Sequence, residues 1–138
     1  MQMEQGTTST DAVRRFFAAF AAGDLERVVD AFHHRAEIVA VREGARAAGE
    51  LHGTYRGRPG AREFVNALGR LLDTQAFDVD EVIGAGHVAY ASGTFHHRVR
   101  STGKSFTSRW ALRCELEDGL LRSYRFFEDS AAYADASR

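Results

Sequence analysis

Six histidines, nineteen acidic residues and one cysteine are the groups in this 138-residue chain from which acid–base, metal or nucleophilic chemistry could be built. Their spacing narrows the choice. His96 and His97 are adjacent in a stretch where Ala89, Ala91, Gly93, Phe95 and Val99 recur at alternate positions. Neighbours in a strand point to opposite faces, so one histidine of the pair is buried, and parity selects His97. Histidine titrates near neutral pH and is a natural acid or base beside a pocket; the competing reading is a partly buried structural histidine. Farther on, alternation groups Ser123, Arg125 and Phe127 on one face and Tyr124, Phe126 and Glu128 on the other. An arginine turned into a pocket could hold a carboxylate or an enolate-like oxygen. On the rim it would be an ion-pair partner or a dimer contact.

The other groups point less clearly. His33 and His34 are expected at the end of a helix. Being adjacent, they cannot chelate one metal from a single helical face, and their charge suits the C-terminal dipole. His52 and Tyr55 fall in a glycine-rich loop and could close over a ligand, or be solvated; His87 falls in a turn. Glu43, Glu50 and Glu128 are the acids nearest the expected pocket mouth. Burial would raise their pKa and let them act as acids, whereas solvent would leave them ordinary surface groups. Trp110, Leu112 and Cys114 share a strand face and are expected to line the cavity, the tryptophan as packing or as a platform for a flat ligand. Cys114 has no basic neighbour on its face and is read as inert. With no cysteine pair and no His-x-x-x-His, neither a metal nor a cofactor is expected.

Composition sets outer limits. With 44% hydrophobic and 27% charged residues, the chain has the make-up of one globular domain. A net charge of −1 argues against nucleic-acid binding. A lone cysteine cannot form an internal disulfide, which points to a reducing cytoplasm. Met1 to Thr10 is polar, lacks the apolar centre of a signal peptide and reads as a disordered tail before a domain at 11–138. No apolar run approaches the ~18 residues of a membrane span, so no membrane partner is expected.

The elements that must position these groups follow from periodicity. Val13, Phe16, Phe17 and Phe20 mark one helical face. Gly23 ends that helix and Asp24 caps a second, with Leu25, Val28, Val29 and Phe32 as its apolar side. Glu37 to Arg42 reads as a strand and residues 43–58 as a long loop. Pro59 fits the first turn of a third helix carrying Phe64, Val65, Leu68, Leu71 and Leu72. Four strands follow at 77–84, 87–100, 104–117 and 120–128, with a strong hairpin signal at Asp118-Gly119. Asp129 caps a short last helix. Helices grouped ahead of an antiparallel meander mean α+β, with one sheet face under the helices and a pocket at the open end.

Three segments carry a resemblance. Residues 13–29 join an aromatic helix to Gly-Asp-Leu and a second helix. Residues 55–64 make a Gly-x-x-Gly lead-in to helix three. Residues 118–129 form a last hairpin strand closing on Asp. Together they resemble the nuclear-transport-factor-2-like superfamily, in particular SnoaL-like polyketide cyclases and ketosteroid isomerases, over about residues 11–136. The resemblance implies a cone of three helices on a strongly bent sheet, and an isomerase, cyclase or dehydratase acting on a small apolar polyketide- or steroid-like molecule. It also implies a homodimer paired through the outer sheet face, and it places the face of Ser123, Arg125 and Phe127 toward the cavity. The family's tyrosine, base and oxyanion acid fall at Phe16, Ala40 and Leu112, none of which can move a proton. The expected site is therefore His97 and Arg125 for chemistry, with Phe16, Ala40, Tyr55, Trp110, Leu112, Cys114 and Phe127 around the ligand. A non-catalytic binding pocket and a dimeric interaction domain are the alternatives.

Overall fold

The computed structural model describes residues 8–138. Helix α1 (Ser9–Ala21) starts where Thr8 accepts a hydrogen bond from the Asp11 amide, at 3.1 Å. Residues 8–10 thus form a cap and first turn instead of a tail, and Ser9 is buried with its hydroxyl donating to the Val88 carbonyl. The rest of the expected tail lies outside the described residues. Gly23, at φ +69°, makes the left-handed turn into α2 (Leu25–Asp30), which Asp24 caps as expected.

Strand β1 (Phe32–Ala40) begins five residues earlier than the sequence pattern suggests. Phe32 is spaced to continue α2, but it pairs with Leu121 and packs its ring against Phe16 and Tyr124, so tertiary burial overrides the helical period. His33 and His34 consequently sit on a strand. Within the expected loop, Gly53–Arg56 forms a short strand, β2, paired antiparallel with β1. Helix α3 (Gly57–Leu71) follows at once and runs directly into β3 (Leu72–Ala85), which is longer than expected because Leu72 already pairs with Val99. Strands β4 (Val88–Val99), β5 (Ser105–Glu117) and β6 (Leu120–Phe127) match the anticipated meander, and α4 (Ser130–Ala136) is capped by Asp129.

The sheet order is β2-β1-β6-β5-β4-β3, with β1 parallel to β6 and every other pair antiparallel. The sheet is curved and unclosed, and α1, α2 and α3 fill its concave side. Bulges help to bend it: Gln75 and Asp80 are extra residues in β3 opposite β4, and Arg122 is extra in β6 opposite β5. At Gly93 the β3 backbone comes so close that a Cβ would lie 1.8 Å from the Asp78 carbonyl oxygen, so only glycine fits. Among the described residues, no helix is long and apolar enough to cross a membrane.

The core is aromatic. Phe16, Phe32, Phe64 and Tyr124 form one edge-to-face cluster. Phe17, Phe77, Trp110 and Phe126 form a second, with Trp110 stacked between Phe77 at 5.0 Å and Phe126 at 5.4 Å.

Candidate active site

Between the two aromatic clusters lies a narrow cavity of about 40 Å³. Phe16, Phe17 and Phe20 of α1, Phe64 and Leu68 of α3, and Phe77, Phe95 and Phe126 of the sheet form its walls. Against these rings stand five polar side chains: His52, Thr74, His97, Tyr124 and Glu128. Polar groups this few in an apolar enclosure are what fix the orientation of a small molecule.

His97 faces inward because β4 alternates strictly, with Phe95 and Val99 buried on the same side. Burial, reinforced by the neighbouring His96, holds the imidazole pKa down at about 4, so the ring is neutral at physiological pH. Its Nδ1 lies 3.0 Å from the Thr74 hydroxyl, while Nε2 has no partner among the described residues. The Thr74 bond can run either way. When Nδ1–H donates to it, Nε2 presents a lone pair; when the hydroxyl donates, Nε2 carries the proton.

The second group is a pair whose side chains are largely, not fully, buried. His52 Nε2 lies 3.1 Å from Glu128 Oε2, with side chains 13% and 8% exposed. An ionised carboxylate only accepts, so a neutral His52 must donate from Nε2, leaving its lone pair on Nδ1. The His52 ring leans on Tyr133 of α4 at 4.6 Å. Leu51, next to it, accepts the Tyr55 hydroxyl at 2.6 Å. Arg46 anchors the same loop from the other side. Its guanidinium lies 4.0 Å above the Tyr55 ring, donates to the Glu50 carbonyl and pairs with Glu63. Val41, at the inner end of the loop, has φ +69° in a tight turn closed by Arg42 N–H to Ala40 O at 2.8 Å, a strained conformation for a β-branched residue.

Tyr124 completes the polar set. Burial pushes its phenol well above the ordinary range, so it stays protonated and can donate, and its hydroxyl has no partner among the described residues.

The expected site residues divide. His97, Phe16 and Ala40 line the cavity. Tyr55, Trp110, Leu112 and Cys114 are buried one layer behind it, where they support the walls without reaching the space. Burial pushes the Cys114 thiol up to about 12, which matches its reading as inert. Arg125 and Phe127 correct the expectation. Arg125 lies on the outer face, paired with Glu43 and, at 4.0 Å, with Glu37, and Phe127 is 48% exposed. The Arg122 bulge is the reason. It puts Ser123 opposite Glu115 and Tyr124 opposite Cys114, so Tyr124, Phe126 and Glu128 turn inward. Glu128, weighed as a solvated acid, is thereby buried, and its alternation with Tyr124 and Phe126 was the sequence signal for it. Thr74 carried no such signal.

One cluster outside the cavity brings potential metal donors together: His33, Glu117 and Asp118. The donor set does not fit a cation. His33 Nδ1 already accepts the Arg35 amide, which leaves the ring proton on Nε2, facing Glu117 at 3.4 Å. Arg35 and Arg122 also sit on the Glu117 carboxylate.

Comparison with known proteins agrees with this architecture. The sequence pattern of the SnoaL-like domain matches residues 13–124. No curated protein matches the chain. An NTF2-like protein from Burkholderia thailandensis superposes with a TM-score of 0.83 at 25% identity, covering 96% of this chain and 99% of that one. A protein from Pseudomonas putida provisionally named a polyketide cyclase gives 0.77 at 16% identity, over 95% and 98%. TerC, co-crystallised with polyporic acid, gives 0.74 at 20% identity, over 94% and 98%.

Proposed function

The chain belongs to the SnoaL-like domain family, within the NTF2-like fold, and from that premise we propose that it is a cyclase- or isomerase-type enzyme working by acid–base chemistry on a small, largely apolar organic molecule. The observation that carries the reading is the pairing, on one apolar cavity, of a histidine kept neutral by burial with a second histidine oriented by a buried carboxylate. His97 takes a proton from a carbon next to a carbonyl in the tautomer whose Nδ1–H donates to Thr74, which presents a lone pair at Nε2. Tyr124 donates to the oxygen on which negative charge develops, and the water-poor surroundings strengthen that bond. His52, held in one tautomer by Glu128, returns or relays the proton. This assignment replaces Arg125, whose guanidinium is committed to the outer face.

A second reading, a binding pocket without catalysis, is favoured by the apolar residues Phe16, Ala40 and Leu112 at the positions where the family carries its tyrosine and acids. Pairing of two copies through the outer sheet face, where Tyr90 and Phe127 are exposed, fits either reading.

Deuterium exchange into 2-tetralone, whose α-protons are acidified by its carbonyl, separates the two. The enzyme reading predicts exchange well above the buffer rate in the wild type, falling at least 100-fold in His97→Gln. Bound 2-tetralone with exchange at the buffer rate would leave only the binding role.

A further inference from the structure

The cavity is too small for the molecule the site would act on. About 40 Å³ has room for a few waters, whereas ligand pockets run to ~300–1,000 Å³. Directly outside it lies an apolar groove of about 500 Å³, bounded by the α1–α2 turn, the last turns of α3 and the start of β3. The two spaces share four residues: Phe20, Leu68, Thr74 and Phe77. Phe20, Leu68 and Phe77 are only half-buried, and Thr74 is exposed although its hydroxyl meets buried His97. The partition between groove and cavity is therefore a thin layer of side chains, and the proton-transfer group lies immediately behind it. Gln75, the extra residue of β3, lies on the groove's rim beside Thr74.

We propose that groove and cavity are two halves of one ligand site, with Phe20 and Leu68 as the gate. The occupant is an elongated, flat apolar molecule that enters past α3, lodges its carbonyl-bearing end at His97 and leaves its apolar body along Leu25, Val65 and Phe77. The inference rests on the acid–base reading for what happens at His97, but the route and shape of the ligand rest on the groove alone. Both gate side chains are held only by packing. Phe20 leans on Phe16 at 6.1 Å and on Phe77 at 5.9 Å, so a rotamer change opens the passage without breaking a hydrogen bond. The groove thus selects for length, and molecules confined to one ring gain little from it.

Gly69 supplies a clean test. It lies in the groove on α3, where an added Cβ would meet nothing within 4 Å and the backbone is not left-handed, so Gly69→Phe starts from open space and brings a ring to the groove wall. The probe is 1-aminoanthracene, flat and apolar with one polar end, followed by energy transfer from Trp110, the single tryptophan, which stacks on Phe77. The proposal expects Gly69→Phe to slow association and weaken binding at least 10-fold, and Leu68→Ala to speed association several-fold. Probe binding is read without turnover, so a wild type that binds the probe through the groove but shows no 2-tetralone exchange would sink the acid–base reading alone, and the two failures are separable. Equal association rates and affinities in wild type, Gly69→Phe and Leu68→Ala, or a wild type that does not bind the probe, would overturn it.

Discussion

Lowering the pH perturbs His97 before any other group of the cavity whose titration is displaced by burial. In the unfolded chain the imidazole titrates near 6.5, and in the native state at about 4. Between those values the unfolded chain holds a proton that the folded one refuses, so stability falls as pH falls through that window and levels off below about 4. Above about 6.5 the ring is neutral in both states and contributes no slope. At ~1.4 kcal/mol per pKa unit the full difference is about 3 kcal/mol. The ring faces a cavity that water can enter, which screens part of it, so about 2 kcal/mol is expected. The assay is urea unfolding of wild type and His97→Gln from pH 7.5 to 4. Surface carboxylates such as Glu26 and Glu115, paired with Arg62 and Arg113, titrate alike in both proteins, and the difference curve isolates the histidine. The variant should lose about 2 kcal/mol less than the wild type. Parallel curves, or an NMR titration of His97 centred near 6.5, would refute burial as what keeps the ring neutral.

Further outcomes follow from particular contacts. Gly93→Ala should cost about 3 kcal/mol or more, or prevent folding, because its Cβ would meet the Asp78 carbonyl and Trp110; a melting temperature within a few degrees of wild type would contradict the close approach of β3. Cys114 should resist a thiol reagent in the native protein and react fully in denaturant, since it is buried and its thiol is held protonated. Glu128→Gln removes the charge that restricts this side chain to accepting; the amide can present either its oxygen or its NH2 to His52, so the tautomer is no longer fixed. The substitution should lower 2-tetralone exchange by 10-fold or more and change its pH profile; an unchanged profile would make the pair purely structural.

Much of this fold was legible because its signals are local. The Phe16–Phe20 helix face, the Gly23-Asp24 turn, the Asp118-Gly119 hairpin and the alternation that buries His97 all sit within a few residues of one another. What was illegible depended on partners far away in the chain. Phe32 continues the α2 pattern, and only pairing with Leu121 makes it a strand residue. Thr54 and Tyr55 become a strand because Ile38 and Val39 lie beside them. At the site, a one-residue bulge at Arg122 decided the issue. It exchanged Arg125 for Tyr124 and Glu128, and no composition signal marks an arginine as the extra residue in a ladder. His52 and Glu128 are 76 positions apart, so their pairing is a product of the folded cone.

The proposed chemistry lies on the inner face, at His97 and the His52–Glu128 pair. Intermolecular nuclear Overhauser effects between the α-protons of bound 2-tetralone and assigned side chains test it most directly. Contacts are expected to the His97 imidazole and to the rings of Phe95 and Tyr124, all of which line the cavity. Contacts confined to Tyr90, Phe127 or the Arg125 side chain would place the ligand on the outer face and contradict it.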